Sequence, residues 1–488
     1  MAEPTTALKP SLGLLDATMV VAGSMIGSGI FIVSADITRH VGSAGWLVAV
    51  WVITGLMTVI AAVSYGELSA MFPKAGGQYV YLKEAFNPLT GFLYGWSFFA
   101  VIQTATIAAV GVAFARFTAY FIPGFSEKNI LIDLNPGLDY KISAAQLLSI
   151  AVVILLTYIN TRGIKTGKTI QTIFTSTKLL ALFGLIVFGF LLVKESFWSA
   201  NWHDGFRGVQ DLGNKDASGI LRPSGWHPIG GLALLGAVAA AMTGSVFSSD
   251  AWNNVTFIAG EIKNPKRNVG LSLFFGTMLV SIIYITANLM YLNVLPIDKV
   301  AFPQEERLAV AAAHVIFGSA GRSIIAVLIM VSTFGCINGL VLAGARVYYT
   351  MALDGLFFKK AARLNTNAVP QWSLWAQCVV AAVLCLSGSY GQLLDMISFV
   401  AVGFYVLTIA GIFVLRKNRP QAERPYKAFG YPLLPFLYIL MGSAFCILLI
   451  FFKPLYAFLG LAITLIGIPI YYIAVSNQNK GVADNAIH

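Results

Sequence analysis

Charged residues are scarce in this chain of 488 residues, where they make up 11% against about 25% in a typical soluble domain. Hydrophobic residues make up 57%, and the mean hydropathy is +0.77. This shortage of charge excludes a soluble globular protein and predicts a chain that crosses the lipid bilayer many times. The formal charge of +11 does not indicate a nucleic-acid partner, because the basic residues cluster in short loops between apolar runs.

The sequence also lacks the usual signatures of an enzyme or a metal protein. No glycine-rich phosphate loop and no catalytic triad pattern occurs in it. The cysteines lie inside apolar runs, without metal-ligand spacing: Cys336, Cys378, Cys385 and Cys446. We therefore expect a protein that is not an enzyme and needs no metal or cofactor, with its cysteines as small core residues.

Apolar runs of the ~20 residues that a membrane helix needs occur about twelve times. They predict an all-α polytopic protein with spans near 14–38, 45–71, 88–121, 143–160, 169–193, 228–258, 269–294, 322–352, 373–389, 392–415, 431–452 and 455–475. With the amino terminus inside, 18 Lys and Arg residues fall on the inner side and 11 on the outer side. The positive-inside rule then predicts a cell-membrane protein with both termini in the cytoplasm.

Two of the predicted spans contain segments that are unsuited to a helix. Residues 23–31 read GSMIGSGIF, which places three glycines and two serines in the middle of the first span. Residues 244–255 read GSVFSSDAWNNV and interrupt the sixth span. The second break comes five spans after the first. Because five is an odd number, the second unit of five spans enters the membrane from the opposite side. This arithmetic is that of an inverted repeat with a ligand site at the unwound midpoints.

Unwinding frees amide groups on one side of a break and carbonyl groups on the other. The amino end of a half-helix attracts an anion, and free carbonyls attract a cation or an ammonium group. A ligand that carries a carboxylate and an ammonium on one carbon, an amino acid, fits both. The alternative is that GSMIGSGIF is a helix-packing seam of small residues, and the second break in register with the first weighs against it.

Five segments in order resemble the amino acid–polyamine–organocation superfamily: GSMIGSGIF, SYGELSAMFPKAGGQYVYLKEAF (64–86), FSSDAWNNVTFIAGEIKNPKRNV (247–269), STFGCINGLVLAGARVYYTMALDG (332–355) and RPYKAFGYPLLP (424–435). Within it, the chain is most similar to bacterial relatives of the L-type amino acid transporters. The resemblance implies a leucine-transporter-type fold with these parts: an amino-terminal tail (1–13), a first five-helix repeat (14–193), an extracellular loop (194–226), a second, inverted repeat (227–416), helices 11 and 12 (417–475) and a carboxy-terminal tail (476–488).

The resemblance also implies which residues bind the substrate. The amides of Ser28 and Gly29 would meet its carboxylate, with Gly27 giving room. Its amine would meet the carbonyls of Met25, Phe247, Ser248 and Asp250, with Phe247 as an aromatic gate, and Ile26 and Ser249 complete the predicted site. The family pattern Phe-Ala-Tyr-Asp-Gly-Trp reads Phe-Ser-Ser-Asp-Ala-Trp here, so a serine replaces an aromatic residue and Ala251 replaces a glycine.

Lys178 lies about eight residues into the fifth span, which is roughly 12 Å at ~1.5 Å per residue. A lysine at such depth costs ~2.5–3.5 kcal/mol, so a specific role is expected. Burial disfavours the charged form of an amine, which makes proton exchange near neutral pH one interpretation. The other is a structural cation that ties the first, fifth and eighth spans together. The resemblance implies Ser332 as its partner, beside the position that sodium occupies in sodium-coupled relatives.

Four further charged residues in or near the spans are interpreted as structural. Glu67 is expected to make an interface contact, and Arg116 and Arg346 are expected to snorkel from span ends. Asp250 is expected to cap the second half of the sixth span, with direct contact to a substrate ammonium as the alternative.

The middle of the third span, 98–114, lines the pocket in the family and has no charged residue here. Gln103 stands where relatives that select acidic substrates carry an arginine. These features favour a neutral L-amino acid, and Ser248 and Ser249 favour a small or polar one.

We predict an alternating-access carrier, with amino acid exchange and proton symport through Lys178 both open. One alternative is a sensor that binds an amino acid without transporting it, which the short tails disfavour. The other is a channel, which is disfavoured because the polar residues cluster at the membrane midplane and do not form a continuous path. Some family members work with a disulfide-linked ancillary subunit, which is not expected here because no cysteine lies in an outer loop.

Overall fold

The chain folds into a bundle of long apolar helices. The computed structural model describes residues 10–135, 140–216, 221–304, 307–387 and 390–486. Its helices are α1 (Leu14–Met25), α2 (Gly29–Val41), α3 (Ala44–Met71), α4 (Gln78–Ala85), α5 (Pro88–Ser97), α6 (Gln103–Thr118), α7 (Ala144–Thr161), α8 (Ile164–Leu191), α9 (Trp198–Trp202), α10 (Gly231–Ser248), α11 (Asn254–Phe257), α12 (Pro265–Val294), α13 (Ile297–Ala301), α14 (Leu308–Leu353), α15 (Gln371–Ser387), α16 (Tyr390–Asn418), α17 (Leu433–Phe452) and α18 (Pro454–Ala486). A π-helical turn, Phe98–Ile102, joins α5 to α6, and short 3-10 segments occupy Pro123–Phe125, Ala259–Glu261 and Lys359–Ala362.

The apolar helices account for the predicted spans. Within the described residues, ten helices are long and apolar enough to cross a membrane, and the bent pair α1 and α2 adds an eleventh. The shorter apolar helix α15 corresponds to the ninth predicted span. The prediction of an all-α polytopic membrane protein is therefore confirmed. Residues 1–9 of the predicted amino-terminal tail lie outside the described residues, and the predicted tail from 476 continues α18 as a helix.

Several helix ends carry local sequence signals. The Asn87 side chain accepts a hydrogen bond from the Thr90 amide at 2.9 Å, and Pro88 is the first residue of α5. Ser143 and Gln146 form a reciprocal capping box that starts α7. Gly42 ends α2 in the left-handed conformation with φ 58°, which glycine adopts without penalty. These signals fix where the first, third and fourth spans stop and start.

Among the described residues, six short strands lie in two of the connecting loops, and none of them is predicted by the sequence analysis. They form three antiparallel pairs: β1 (Ile130–Asn135) with β2 (Tyr140–Ser143), β3 (Val209–Gln210) with β6 (His227–Pro228), and β4 (Asn214–Lys215) with β5 (Leu221–Arg222). The loop that carries β3 to β6 is organised by the buried carboxylate of Asp211. Burial opposes its ionisation, but hydrogen bonds from Ser224, Gly225 and Gly213 outweigh burial and hold the pKa of Asp211 below its usual range.

The membrane face at which α1 begins is called here the amino-terminal face, and the other is the opposite face. The ends of α3 and α16 also lie at the amino-terminal face, where Glu67 of α3 meets Arg416 of α16 at 2.7 Å.

Small residues let the spans approach closely. A Cβ added to Gly244 of α10 would lie 3.0 Å from Val33 of α2. Such close seams provide the van der Waals contact that holds helices together in lipid.

Candidate functional site

The first span is broken where GSMIGSGIF stands. The helix α1 ends at Met25, α2 begins at Gly29, and the two axes bend by 43°. The Gly27 amide donates to the Met25 carbonyl at 2.9 Å, a tight turn that leaves the regular helical ladder. The span is therefore not a continuous helix, although its glycines do pack closely against other spans, as the alternative of a seam of small residues expects.

The sixth span is broken more severely than its sequence predicts. The helix α10 ends at Ser248, and the chain re-enters a helix only at Asn254, in the four-residue α11. A 3-10 turn at Ala259–Glu261 follows, so the second half of the predicted span 228–258 is short and irregular. Ala251 in the middle of the break has φ 62°, in the left-handed region that a residue with a Cβ rarely adopts.

The two breaks contact each other directly. A Cβ built on Gly29 would lie 1.9 Å from the hydroxyl oxygen of Ser248, so only a glycine allows this approach. Gly27 is likewise close to the eighth span, since its Cβ would lie 3.0 Å from Cys336 Sγ. The predicted site residues of both breaks are all buried: Met25, Ile26, Gly27, Ser28, Gly29, Phe247, Ser248, Ser249 and Asp250. The structure thus places the predicted residues of both breaks together in the core.

Tyr284 of α12 joins the two breaks, and the sequence analysis missed it. Its hydroxyl lies 3.0 Å from the carbonyl oxygen of Met25 and 3.0 Å from that of Ser248. These are two of the carbonyls that the family resemblance assigns to the substrate amine. In the sequence, Tyr284 stands in an ordinary apolar run, so no local signal distinguishes it.

Lys178 of α8 reaches the first break. Its side chain is fully buried, and Nζ donates to the carbonyl oxygens of Gly23 and Ile26 at 2.6 Å each. The Ser332 carbonyl lies 3.5 Å from the same ammonium, and the Ser332 hydroxyl lies 3.4 Å from the Ile26 carbonyl oxygen. The ammonium therefore contacts the first and eighth spans from the fifth, and it occupies carbonyls that unwinding has freed.

Gln103 lies in the third span directly after the π-helical turn Phe98–Ile102. Its Nε2 donates to the Leu340 carbonyl of α14 at 2.6 Å, so the side chain is turned toward the eighth span. Insertions of this π type often mark functional sites. Gln103 also lines a cavity of about 10 Å³ together with Asp250 and Asn254, which connects the third span to the second break.

Asp250 does not cap the second half of the sixth span, so that expectation is wrong. No side chain caps α11, and Asn253 stands at its cap position. The buried Asp250 carboxylate instead accepts a hydrogen bond from the Tyr405 hydroxyl of α16. The rings of Tyr405 and Trp252 lie tilted at 5.2 Å between centroids, and the ring of Tyr65 meets that of Trp252 edge to face at 4.7 Å. The second break is thereby anchored to the second and tenth spans.

A buried ion pair closes the amino-terminal face beneath the second break. Arg346 Nε lies 3.1 Å from Glu261 Oε1, and both side chains are at most 1% exposed. The expected snorkelling of Arg346 is therefore wrong, because the chain after the second break returns onto α14 and places Glu261 against this side chain. Arg116, by contrast, pairs with Glu127 at 3.2 Å near the opposite end of the third span.

Ser11 and Leu12, named here the amino-terminal strap, also join the two broken spans. The amides of Ser11 and Leu12 donate to the Glu261 carbonyl at 2.8 and 3.0 Å. The Lys263 amide returns a hydrogen bond to the Leu12 carbonyl at 2.8 Å. The start of the first span and the end of the sixth are therefore connected through backbone hydrogen bonds.

Glu67 makes an interface contact, as the sequence analysis predicts. Its carboxylate accepts two hydrogen bonds from Arg416, at 3.0 and 2.7 Å, and one from the Ala428 amide at 2.7 Å. These contacts fasten the loop after the tenth span to the second span. Glu67 belongs to the scaffold and lies away from the breaks.

The two breaks together supply amide donors, carbonyl acceptors and a buried cation in one enclosed region. In the part of the chain that the structure describes, no group of three or more His, Cys, Asp or Glu side chains could hold a metal ion. A polytopic bundle with two unwound spans meeting in its centre is the architecture of a secondary transporter.

Comparison with known proteins identifies the family. A family model described as amino acid permease matches residues 12–479, and the chain belongs to the amino acid permease family. It is 29% identical to the large neutral amino acids transporter small subunit 2 of Oryctolagus cuniculus over 483 residues, covering 97% of this chain and 82% of the relative. It is 28% identical to the Asc-type amino acid transporter 1 of Mus musculus over 484 residues, covering 98% and 84%. It is 27% identical to the b(0,+)-type amino acid transporter 1 of Oryctolagus cuniculus over 428 residues, covering 87% and 80%.

Proposed function

We propose that this protein carries neutral L-amino acids across the plasma membrane by alternating access, exchanging one amino acid for another. The observation that carries the proposal is the position of Lys178, whose ammonium lies 2.6 Å from two carbonyl oxygens of the first break. The Lys178 ammonium thereby occupies the position that a co-transported cation would need. The names of the similar proteins, all amino acid transporters, support the substrate class.

In this proposal the breaks recognise the two charged groups that all amino acids share. The amides of Ser28 and Gly29 bind the carboxylate at the amino end of α2. The carbonyls of Met25 and Ser248 bind the amine while one of them also accepts the single hydroxyl proton of Tyr284, since each carbonyl oxygen has two lone pairs. The uncharged segment 98–114 of the third span favours a neutral side chain.

Orientation and assembly form part of the same proposal. The excess of Lys and Arg at the amino-terminal face supports termini in the cytoplasm. The name of the first relative, a small subunit, describes one component of an assembly. Here Cys336, Cys378 and Cys385 are buried in helices and Cys446 is half-buried, which supports a carrier that works without a disulfide-linked partner.

Transport by the purified chain in liposomes tests the proposal. Uptake of labelled L-alanine, L-serine and L-leucine is followed into empty vesicles, into vesicles preloaded with unlabelled amino acid, and with an inward proton gradient. An exchanger takes up label only into preloaded vesicles and ignores the gradient. Uptake into empty vesicles that the gradient drives, and that Lys178→Ala abolishes, would instead establish proton symport through Lys178. Binding of these amino acids without any uptake would establish a sensor.

A matched variant separates the role of Lys178 from a general loss of charge on α8. Lys194 follows the end of α8 and is exposed. We expect Lys194→Ala to exchange amino acids like the wild type. Lys178→Ala removes the ammonium donor from the Gly23 and Ile26 carbonyls and leaves Ile26 only the longer hydrogen bond from Ser332. We expect it to lower exchange at least about tenfold, because the loss of these buried hydrogen bonds destabilises the break.

A further inference from the structure

A small polar pocket adjoins the second break on the side of the amino-terminal face. Its volume is about 10 Å³, room for one group of the size of a water molecule. Asp250 and Ala251 belong both to the break and to the pocket wall, so the pocket continues the region where the substrate would bind. The rest of the wall comes from α4, the third span, the start of α11 and the tenth span, including Gln78, Ile102, Asn254 and Ala401.

Most amides and hydroxyls in the wall already have partners within the protein. Asn253 donates to Gln78 at 2.9 Å, and Gln78 donates to Thr408 at 3.0 Å. Gln103 donates to the Leu340 carbonyl at 2.6 Å, and Tyr405 donates to Asp250. These groups fix the shape of the pocket, and their hydrogen bonds are directed away from a ligand.

Asn254 is different. Its side chain is 1% exposed, and both its Oδ1 and its Nδ2 are buried with no hydrogen-bond partner in the protein. A buried carboxamide in this state is costly, and a bound group that pairs with it would remove that cost. Its two atoms can accept from and donate to the same small hydroxyl group.

We propose that Asn254 is a specificity residue that hydrogen-bonds a hydroxyl group on the side chain of the substrate. The pocket therefore selects small hydroxyl-bearing neutral amino acids, with serine preferred to alanine. This inference rests on the proposed function, since it names the side chain of the amino acid that the breaks hold. The pocket has room for one small group and therefore excludes side chains with larger polar groups at their ends. Alanine leaves the Asn254 carboxamide unpaired, and this loss discriminates between substrates more strongly than pocket size does.

The test compares kcat/KM for serine and alanine exchange in liposomes. We expect the wild type to prefer serine by about tenfold or more. Asn254→Ala and Asn254→Leu should bring this ratio close to one while alanine exchange continues, which shows that the carrier is folded and active. The matched control is Ser281→Ala, which removes a different buried hydroxyl without a partner, on α12. It should leave the ratio unchanged.

Two results would overturn the inference. If the wild type transports alanine as efficiently as serine, that result alone contradicts the inference. An unchanged ratio in either Asn254 variant would assign the pocket to a structural water. If neither variant transports, binding by thermal shift decides, because serine should stabilise the wild type more than alanine and the variants equally. Failure of the proposed function is distinct, since it would abolish exchange of both amino acids in the wild type.

Discussion

Gly29 and Ser248 bring the two broken spans into direct contact. A Cβ built on Gly29 would lie 1.9 Å from Ser248 Oγ and 2.5 Å from Ser248 Cβ. Rotation of the serine hydroxyl alone cannot remove this overlap, because the Cα of Ser248 is also within 3.0 Å. We therefore expect Gly29→Ala to push α2 away from α10 and to lower amino acid exchange by about tenfold or more, since small displacements at a binding site are costly.

Gly403 offers the matched control for this prediction. It lies inside α16, and a Cβ added to it would meet no atom within 4 Å. Gly403→Ala should therefore exchange amino acids like the wild type, in the same liposome assay. Wild-type exchange by Gly29→Ala would show that the contact between the breaks is not required for transport.

The buried pair of Arg346 and Glu261 is expected to show strong coupling. Arg346→Met leaves the Glu261 carboxylate buried without its partner, which should cost about 3–5 kcal/mol. The double variant Glu261→Gln, Arg346→Met removes both charges and should recover most of that loss. Thermal unfolding of the purified protein in detergent measures the order of stability: wild type, double variant, then Arg346→Met.

Arg363, which is exposed, provides the reference for removing an arginine from the same face. Arg363→Met should unfold at the wild-type temperature, as surface substitutions usually do. A double variant no more stable than Arg346→Met would contradict the coupling, and would mean that Arg346 acts through its other hydrogen bond, to the Leu342 carbonyl at 2.6 Å.

The breaks could be predicted from the sequence, while their partners could not. Clusters of glycine and serine inside apolar runs are a local signal, and they mark the first break at residues 26–28. Tyr284 carries no such signal, because its role depends on the Met25 and Ser248 carbonyls, which are distant in the chain. Arg346 looked like a span-end residue, and only the return of α11 and Glu261 onto α14 buries it. Asp250 had a plausible capping role by position, but Tyr405 from the tenth span takes its carboxylate.

Ala251 stores backbone strain in the second break. Its φ of 62° is a left-handed conformation that costs a residue with a Cβ roughly 1–2 kcal/mol. Ala251→Gly should therefore raise stability by about 1 kcal/mol, less the extra entropy of glycine in the unfolded chain. Ala239 in the helix α10 is the matched control, where glycine should lower stability by about 1 kcal/mol. Thermal unfolding measures both, and a loss of stability in Ala251→Gly would contradict the strain.

The amino-terminal strap makes a prediction about motion. Three backbone hydrogen bonds join Ser11 and Leu12 to the end of the sixth span, at 2.8, 3.0 and 2.8 Å. Leu12 and Ile262 form a β-bridge, and both side chains are buried. We therefore expect the start of the first span and the end of the sixth to move as one body when the amino-terminal face opens.

A disulfide between these segments tests that expectation. Residues paired in a β-bridge lie within the Cα separation that a disulfide spans, so Leu12→Cys with Ile262→Cys should cross-link under mild oxidation. If the segments move together, the cross-linked protein exchanges amino acids at a rate close to that of the reduced protein. If they separate during transport, oxidation stops exchange and a reductant restores it. The wild type and each single cysteine variant, oxidised in the same way, control for the native cysteines, of which Cys336, Cys378 and Cys385 are buried.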